Sequence, residues 1–359
     1  MKQSRYLMVI LFVLAATLLS ACSGALTASS WPGITPQEDL IYLANGSFVM
    51  ALRPADGVEV WRFPEKAEGQ KMFFAAPVLA DGQLIVGDYQ HTLYSLNPET
   101  GTENWRFEDA TNRYIASPLV VADLILAPNA DHVLYALDLK GNLVWEYETG
   151  QPIWASPVSD GTTAYIAGMD HHLYALDVKT GKLVWDQDLG AAMLYTPALS
   201  DSGQLYVSTL KNTVVARDAK TGAENWTWQG AAAVWAQPAL KDGFLYFGDQ
   251  LGTLYCLNAE TSAVAWSVEA GGEDKVASFG TPLLLDDVVI YAMENGELVA
   301  VSYLGERLWT REAAGTLYTG PVLAGDRFLV GVNKGDNLIE TFDLNGNKSW
   351  SFKLDTKKK

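Results

Sequence analysis

The stretch that decides the fold is Leu173-Tyr174-Ala175-Leu176-Asp177-Val178-Lys179-Thr180-Gly181-Lys182-Leu183-Val184-Trp185, which recurs in eight weaker or stronger copies. Each copy ends on a tryptophan, and successive tryptophans lie 40 to 44 residues apart. The eight are Trp61, Trp105, Trp145, Trp185, Trp226, Trp266, Trp309 and Trp350. Seven have a glycine four residues earlier, and the sixth copy has Ser262 instead. A small residue nine or ten positions before each tryptophan and a proline 27 to 29 positions before it keep the same phase. This pattern is typical of a repeat protein.

Each repeat reads as four short strands. Apolar and polar residues alternate over runs such as Gln83-Leu84-Ile85-Val86-Gly87, and Asp-Gly or Thr-Gly turns bound these runs. No run has a 3.6-residue period long enough for a core helix. Four antiparallel strands in about 40 residues form the blade of a β-propeller. The sequence therefore predicts an all-β, eight-bladed propeller of four-stranded antiparallel blades.

Each landmark residue has an expected structural role in the blade. We expect the glycine to occupy a turn before the outermost strand, where a positive φ costs glycine little. The small residue leaves room for the indole, which packs as an apolar plate between blades. Ser262 is expected to strain its turn.

The pattern Ala-x-Asp-x-x-Thr-Gly-x-x-x-Trp, as in Ala175 to Trp185, resembles the tryptophan-docking motif of the PQQ-type (quinoprotein-type) β-propellers. The resemblance covers Trp31 to about Leu354. Two groups share this motif: the large quinoprotein dehydrogenases, and smaller cofactor-free lipoproteins of the BamB type, which act in outer-membrane β-barrel assembly. The resemblance therefore implies either a PQQ-dependent enzyme or a scaffold without a cofactor.

The N-terminus predicts export. Lys2 and Arg5 precede an apolar run over residues 6–18, which is too short to span a bilayer and is typical of a secretory signal. The run ends in Leu19-Ser20-Ala21-Cys22, which resembles a lipobox, and an ordinary signal peptide is the alternative. We predict a signal peptide over residues 1–21, a lipidated Cys22 with a short linker over 22–30, and the propeller over 31–359. The lipoprotein would then face the periplasm from the outer membrane or lie on the outer face of the cytoplasmic membrane.

The net charge and the two cysteines limit the kinds of partner that the protein is expected to bind. The net charge of −17 argues against nucleic acid and against charge-driven binding to anionic lipids. The only other cysteine, Cys256, holds a small-residue position and is expected to be a buried apolar side chain. We expect a monomeric propeller that binds envelope proteins and reaches the membrane through its lipid.

A candidate binding surface lies before the landmark prolines. Seven repeats carry an aromatic residue two to four positions ahead of the proline. These residues form the predicted collar: Phe74, Tyr114, Trp154, Tyr195, Trp235, Phe279 and Tyr318. Such a collar would surround one mouth of the channel and bind an apolar ligand, an extended peptide or a partner strand. The alternative is that these rings only pack between inner strands.

The four histidines lie in or beside the turns of the second hairpins, near three aspartates. They are His91, His132, His171 and His172, with Asp88, Asp131 and Asp170. Imidazoles and carboxylates are suitable metal ligands, but these turns belong to three diverging blades. We therefore predict no metal site.

No phosphate loop, nucleophile elbow or zinc-protease motif occurs in the sequence. The chain also lacks the adjacent cysteine pair of the quinoprotein dehydrogenases. We therefore predict a non-enzymatic, lipid-anchored protein-binding scaffold of the BamB type with no catalytic residue and no cofactor. The alternatives are a cell-surface lipoprotein of the same fold that binds a ligand or polymer or acts as a sensor, and a PQQ-dependent dehydrogenase.

Overall fold

Residues 32–354, which the computed structural model describes, form eight antiparallel sheets of four consecutive strands each. The predicted eight-bladed all-β propeller is therefore confirmed. Residues 1–31 and 355–359 lie outside this range, and with them the predicted signal peptide, Cys22 and the linker. Among the described residues, no helix is long and apolar enough to cross a membrane.

The strands follow one another in chain order within each blade. Blades 1 to 4 comprise β1 Gly33–Pro36, β2 Ile41–Asn45, β3 Phe48–Leu52, β4 Glu59–Phe63; β5 Val78–Ala80, β6 Gln83–Gly87, β7 Leu93–Leu96, β8 Glu103–Phe107; β9 Leu119–Val121, β10 Leu124–Pro128, β11 Val133–Asp138, β12 Leu143–Glu148; and β13 Val158–Ser159, β14 Thr163–Ala167, β15 His172–Asp177, β16 Leu183–Asp188. Blades 5 to 8 comprise β17 Ala198–Leu199, β18 Gln204–Thr209, β19 Thr213–Asp218, β20 Glu224–Gln229; β21 Ala239–Lys241, β22 Phe244–Gly248, β23 Thr253–Asn258, β24 Val264–Glu269; β25 Ser278–Leu284, β26 Val288–Met293, β27 Glu297–Ser302, β28 Arg307–Glu312; and β29 Val322–Ala324, β30 Arg327–Gly331, β31 Ile339–Asp343, β32 Lys348–Phe352.

Side-chain burial decreases from the second strand of each blade to the fourth. The second strand is buried on both faces, as all five residues of β10 are, because neighbouring blades cover both sides of it. The fourth strand alternates exposed with half-buried residues, as in β16. The first strands lie innermost, where β1 contacts β29 and β13 contacts β17.

The small landmark residue is the cross-strand partner of the tryptophan. Ala175 on β15 pairs with Trp185 on β16, and the register shifts between Ala175 and Leu176. Such a bulge increases the local twist and re-aims the side chain beside it. Cys256 takes the same position opposite Trp266, where it is 1% exposed.

Seven of the eight docking tryptophans pack on the turn glycine of the next blade, and the turn after Trp226 has Ser262 at that position. A Cβ added to Gly181 would lie 2.6 Å from Cδ2 of Trp145, so only glycine leaves room for the indole. Gly181 also has a φ of 67°, a value that favours glycine. The Trp145 Nε1–H donates to the Val178 carbonyl in the same turn at 3.0 Å. The equivalent bonds run from Trp61 to Pro98, Trp105 to Leu139, Trp185 to Ala219, Trp226 to Ala259, Trp266 to Tyr303 and Trp350 to Pro54.

The ring closes without a shared strand between the first and last blades. Trp350 of blade 8 donates to the Pro54 carbonyl of blade 1 at 3.0 Å. Ile34 and Met50 pack with Leu329 and Phe352 in one apolar cluster across this junction. The docking interaction that joins other blades therefore also closes the circle.

Candidate functional site

The segments that lead into the first strands lie against the second-hairpin turns of the preceding blade. Tyr114, ahead of blade 3, donates its backbone N–H to the Asp88 carbonyl of blade 2 at 3.0 Å. Ser278, ahead of blade 7, donates to the Asp249 carbonyl of blade 6 at 3.0 Å. Further bonds of this kind run from Phe73 to Gly46, Ile153 to Asn129, Met193 to Gly168 and Leu317 to Glu294. Lead-in segments and second-hairpin turns therefore share one face, the mouth face.

These backbone bonds give the lead-in segments a common register. In six of the seven segments the donating residue stands four positions before the landmark proline and is buried, as Tyr114 and Leu317 are, and buried Val234 holds this place ahead of blade 6. The next residue, three before the proline, is apolar in all seven segments of blades 2 to 8. We call these seven residues the mouth ring: Phe74, Ile115, Trp154, Leu194, Trp235, Phe279 and Tyr318. Five of the seven members of the predicted collar thus occupy equivalent places.

Tyr114 and Tyr195 do not belong to the mouth ring. Tyr114 lies one residue early, is 1% exposed and packs between blades with Ile85 and Leu93. Tyr195 lies one residue late, and burial raises its pKa to about 12. The positions equivalent to the other five are held by Ile115 and Leu194. The signal was in the sequence, since only these two aromatics are not three residues from the proline.

The mouth ring contains two aromatic groups. Trp235 contacts Phe279 with centroids 5.6 Å apart, and Phe279 contacts Tyr318 at 5.7 Å. On the far side, Phe74 stacks on Tyr89 at 3.9 Å with an interplanar angle of 15°. Phe74 is 2% exposed and Phe279 8%, whereas the other five members are half-buried. Part of the ring therefore packs within the fold and part faces the channel mouth.

Cations sit on the rings at both ends of this arrangement. The Arg113 guanidinium lies 5.3 Å from the centroid of Tyr89, and the Lys334 ammonium lies 6.0 Å from that of Tyr318. Both are exposed. The Tyr318 hydroxyl donates to Glu294 Oε1 at 3.3 Å.

Two indole N–H groups of the mouth ring lack an acceptor. Nε1 of Trp154 and Nε1 of Trp235 are buried, and neither donates a hydrogen bond to any of residues 32–354. Buried polar groups usually have a partner, and leaving one without a partner costs about 1–3 kcal/mol. These two donors are therefore places where an outside acceptor would be stabilising.

The histidines serve the second-hairpin turns. His91, His132 and His171 have φ values of 73°, 77° and 78°, in the left-handed region. The equivalent residues of blades 5 and 6 are Asn212 and Gly252, also with positive φ. His172 follows in β15, with Nδ1 3.0 Å from Asp186 Oδ2. Turn geometry accounts for three of the four histidines.

The neighbouring aspartates also hold these turns together. Asp88 Oδ1 accepts the Gln90 and Thr92 backbone N–H groups, and its Oδ2 accepts the Tyr94 hydroxyl at 3.1 Å. Tyr135 and Tyr174 donate in the same way to Asp131 and Asp170. Within residues 32–354, no three His, Cys, Asp or Glu side chains lie together in a group that could hold a metal.

Residues 44–268 match the sequence family described as "Outer membrane protein assembly factor BamB". The BamB of Vibrio cholerae is 26% identical over 134 residues, which cover 33% of this chain and 35% of that protein. The BamB of Alteromonas naphthalenivorans is 26% identical over 291 residues, covering 76% and 68%. A lanthanide-dependent methanol dehydrogenase of Methylacidiphilum fumariolicum is 42% identical over 60 residues, covering 16% and only 10%. With the methanol dehydrogenase and the Vibrio BamB, the match therefore spans about a third of the relative or less.

Solved structures share the fold. BamB of Moraxella catarrhalis superposes with a TM-score of 0.71 at 20% identity, covering 86% of this chain and 92% of that one. The quinohemoprotein alcohol dehydrogenase of Comamonas testosteroni gives a TM-score of 0.69 at 16% identity, covering 85% and 71%. At these identities the likeness shows the propeller architecture alone.

Proposed function

The chain belongs to the family of outer membrane protein assembly factor BamB, and from this premise we propose that it is a non-enzymatic, protein-binding scaffold in outer-membrane protein assembly. It acts as a monomeric propeller in the cell envelope. Its partners are envelope proteins that dock on the mouth face.

The observation that carries this proposal is the mouth ring on its rigid frame. Its seven apolar side chains occupy equivalent positions in the lead-in segments. Backbone hydrogen bonds such as the one from Tyr114 to Asp88 hold these segments against the neighbouring blades. A preordered surface binds with little loss of conformational entropy. Half-buried aromatic residues such as Trp154 and Trp235 are the side chains most enriched at binding hot spots.

A lipid on Cys22 would hold this scaffold at the membrane. The lipobox-like Leu19-Ser20-Ala21-Cys22 supports lipidation, and burial of acyl chains contributes about 0.8 kcal/mol per methylene. Mass spectrometry of the protein from membranes is expected to find the mature chain starting at a diacylglyceryl-modified Cys22. An unmodified N-terminus after a different cleavage site would contradict the anchor.

Site-specific photocrosslinking in living cells tests the scaffold. A photoreactive amino acid is placed at Ile115 or Leu194, the aliphatic members of the mouth ring, and the matched control position is Leu304, 83% exposed between β27 and β28 on the opposite face. Crosslinks from the mouth positions to a component of outer-membrane protein assembly, and none from Leu304, are expected. Crosslinks only to a surface polymer or to a soluble ligand carrier would overturn the assignment.

A quinone-dependent dehydrogenase is the enzyme alternative, because a quinohemoprotein alcohol dehydrogenase shares the fold and a lanthanide-dependent methanol dehydrogenase is similar over 60 residues. The residues present do not fit a quinone–metal pair. Asp88, Asp131 and Asp170 accept hydrogen bonds from tyrosines of their own blades, and Cys256 is buried opposite Trp266 with no cysteine next to it in the sequence. Adding pyrroloquinoline quinone with calcium or a lanthanide in a dye-linked alcohol assay is expected to give no turnover, and turnover would restore this alternative.

A further inference from the structure

We propose that a cleft between blades 8 and 1, on the face opposite the mouth, binds linear polyamines. This closure cleft is lined by residues 36–38 and 54–55 of blade 1 and by residues 323–327 of blade 8, and its volume is about 610 Å³. Clefts that bind small organic ligands usually enclose about 300–1,000 Å³. The closure cleft lies away from the mouth ring, so the inference does not rest on the proposed scaffold function.

The floor of the closure cleft is apolar. Pro36 and Pro54 line it from blade 1, and Leu323 and Ala324 line it from blade 8. Leu323 is 44% exposed. The aliphatic residues at the equivalent register position of five other blades are half-buried: Leu79, Val120, Leu199, Leu240 and Leu284. The closure junction therefore leaves a leucine uncovered, and a hydrocarbon chain that lies on it would remove apolar surface from water.

Two arginines lie at the closure cleft, and each already pairs with a nearby aspartate. Arg327 Nε lies 3.0 Å from Asp326 Oδ1, and Arg53 Nη2 lies 2.8 Å from Asp56 Oδ2. Arg327 Nη1 also donates to the Pro54 carbonyl at 3.5 Å. Both cations are therefore engaged within the chain, and the two ion pairs carry no net charge.

The unpaired charges at the closure cleft are carboxylates. Glu38 lines the cleft, and Asp39 follows it in the same turn. Both side chains are exposed, and neither forms an ion pair with another of residues 32–354. Because the arginines are paired, the charge that remains at the rim of the cleft is negative.

Carboxylates also surround the channel opening on this face. Every blade turns here from its first strand to its second, and each of these eight turns contains at least one aspartate or glutamate and no lysine or arginine. Asp81, Asp201 and Asp242 are examples. A cleft among charges of one sign raises the local concentration of ions of the opposite sign. These turns therefore favour a cationic ligand, and the apolar floor determines where it binds.

A linear polyamine has both properties that the closure cleft requires. Its methylene segments would lie along Leu323 and the two prolines, and its ammonium groups would reach Glu38 and Asp39. An ammonium group only donates hydrogen bonds, so carboxylates and turn carbonyls are suitable partners. A neutral hydrocarbon would leave the carboxylates unpaired, and a compact inorganic cation would leave the apolar floor in contact with water.

Isothermal titration calorimetry tests the inference. Spermidine is titrated into the full-length protein in detergent, and we expect saturable binding whose affinity falls as salt rises from about 20 mM to about 150 mM, because the carboxylates are exposed. Cobalt(III) hexaammine carries the same charge without methylenes and is expected to bind at least about tenfold more weakly. Equal binding of the two cations, or no saturable binding of spermidine, would overturn the inference.

Variants of the floor test the apolar contact. Leu323→Ser is expected to weaken spermidine binding about three- to tenfold, because methylene contacts are lost. Leu304→Ser is the matched control, since this leucine is 83% exposed on the same face and does not line the cleft. The melting midpoint should stay unchanged in both variants. Full affinity in Leu323→Ser, or an equal loss in Leu304→Ser, would show that the cleft is not the site.

Removing the unpaired carboxylates tests the charge component. Glu38→Gln with Asp39→Asn is expected to weaken spermidine binding about three- to tenfold, because two exposed ion pairs with the ligand are lost. Asp201→Asn with Asp242→Asn, in the equivalent turns of blades 5 and 6, is the matched control and should leave the affinity unchanged. Equal losses in the two double variants would mean that spermidine responds to the overall negative field, and the assignment to the closure cleft would be wrong.

Discussion

Two rings of aromatic residues run around this propeller, and the same side chain behaves differently in each. Seven of the eight docking tryptophans of the fourth strands donate their indole N–H to the next blade, as Trp61 does to the Pro98 carbonyl at 2.9 Å. The mouth-ring tryptophans, Trp154 and Trp235, are half-buried and have buried N–H groups with no acceptor among residues 32–354. Most docking indole N–H groups therefore have an acceptor within the fold, whereas those of Trp154 and Trp235 have none among the described residues.

The comparison distinguishes indoles that stabilise the fold from indoles whose N–H groups have no acceptor among residues 32–354. An indole whose N–H is hydrogen-bonded and whose ring packs on a turn glycine stabilises the contact between two blades. Removing it is therefore expected to destabilise both blades. An unsatisfied indole contributes less to the fold than its area suggests, because its donor lost water without gaining a partner. Substitutions in the two rings should therefore separate stability from recognition.

Truncation should give the largest contrast. Trp61→Ala removes an 8% exposed indole and is expected to lower the free energy of unfolding by about 3–5 kcal/mol. Trp154→Ala at the mouth is expected to cost about 1 kcal/mol, since its side chain is only half-buried. Urea titration followed by circular dichroism measures both. Similar losses at the two sites would mean that the mouth ring is ordinary core.

Replacing indole by phenyl sharpens the comparison, because it removes the donor and keeps a ring. Trp185→Phe leaves the Ala219 carbonyl without its 3.0 Å bond and is expected to destabilise the protein by about 1–2 kcal/mol. Trp235→Phe removes an unsatisfied donor, so the melting midpoint should stay the same or rise. A drop as large as that of Trp185→Phe would show that Trp235 has a partner in solution.

The docking ring can also be improved at its one irregular turn. Ser262 holds the glycine position with a φ of 60°, where a side chain is strained. Ser262→Gly is expected to raise the free energy of unfolding by up to about 1 kcal/mol. Thermal unfolding of this variant beside Ser202→Gly, an exposed serine of another turn, checks the assignment, and a lower midpoint for Ser262→Gly would contradict it.

Asp177 and Asp88, which lie in turns on opposite faces, should have pKa values shifted in opposite directions. Hydrogen bonds from Thr180 lower the pKa of Asp177 in an opposite-face turn, whereas desolvation raises the pKa of Asp88 in a mouth-face turn. The unfolded value is about 3.9. Ionised Asp177 therefore stabilises the fold above that pH, and this contribution is lost as pH falls through its folded pKa. Asp88 has the opposite sign, so its destabilising effect grows as pH rises from about 3.9 through its folded pKa.

Carboxyl-carbon NMR titration measures both midpoints directly. The Asp177 midpoint is expected below about 3.9 and the Asp88 midpoint above it. Asp218, whose pKa Thr221 lowers in the equivalent turn of the next blade, serves as the control for Asp177. A midpoint for Asp88 below that of Asp177 would show that its hydrogen bonds outweigh its burial.

The sequence predicted some elements better than others, and the reason is distance along the chain. The Trp–Gly pair lies within five residues in seven of the eight repeats, so its turn could be predicted from one copy. The junction between blades 7 and 8 differs from the others, and no obvious sequence feature indicates the difference. Arg311 lies over Trp309 at 5.3 Å and donates to the Gly346 carbonyl at 3.1 Å. That contact joins two repeats, and neither repeat alone indicates it.

The predicted collar shows the same limit at the mouth. Aromatic type alone placed Tyr114 and Tyr195 with the other five, but backbone pairing to the preceding blade sets them one residue out of register. Residue type alone makes the histidines candidate metal ligands, and only the φ angles show that His91, His132 and His171 are turn residues. Whether the mouth ring binds a partner stays a prediction.

The sequence by itself determined the number of blades, the strand order within each and the position of every docking tryptophan, because these depend on turns and strand alternation that are local and repeated. Only the tertiary structure decided which mouth residues share a register, which carboxylates are already bonded and which indole N–H groups have no acceptor. Those properties depend on contacts between residues of different blades. A hydrogen-bond partner that far along the chain leaves no trace in local periodicity, so it becomes known only when the ring is closed.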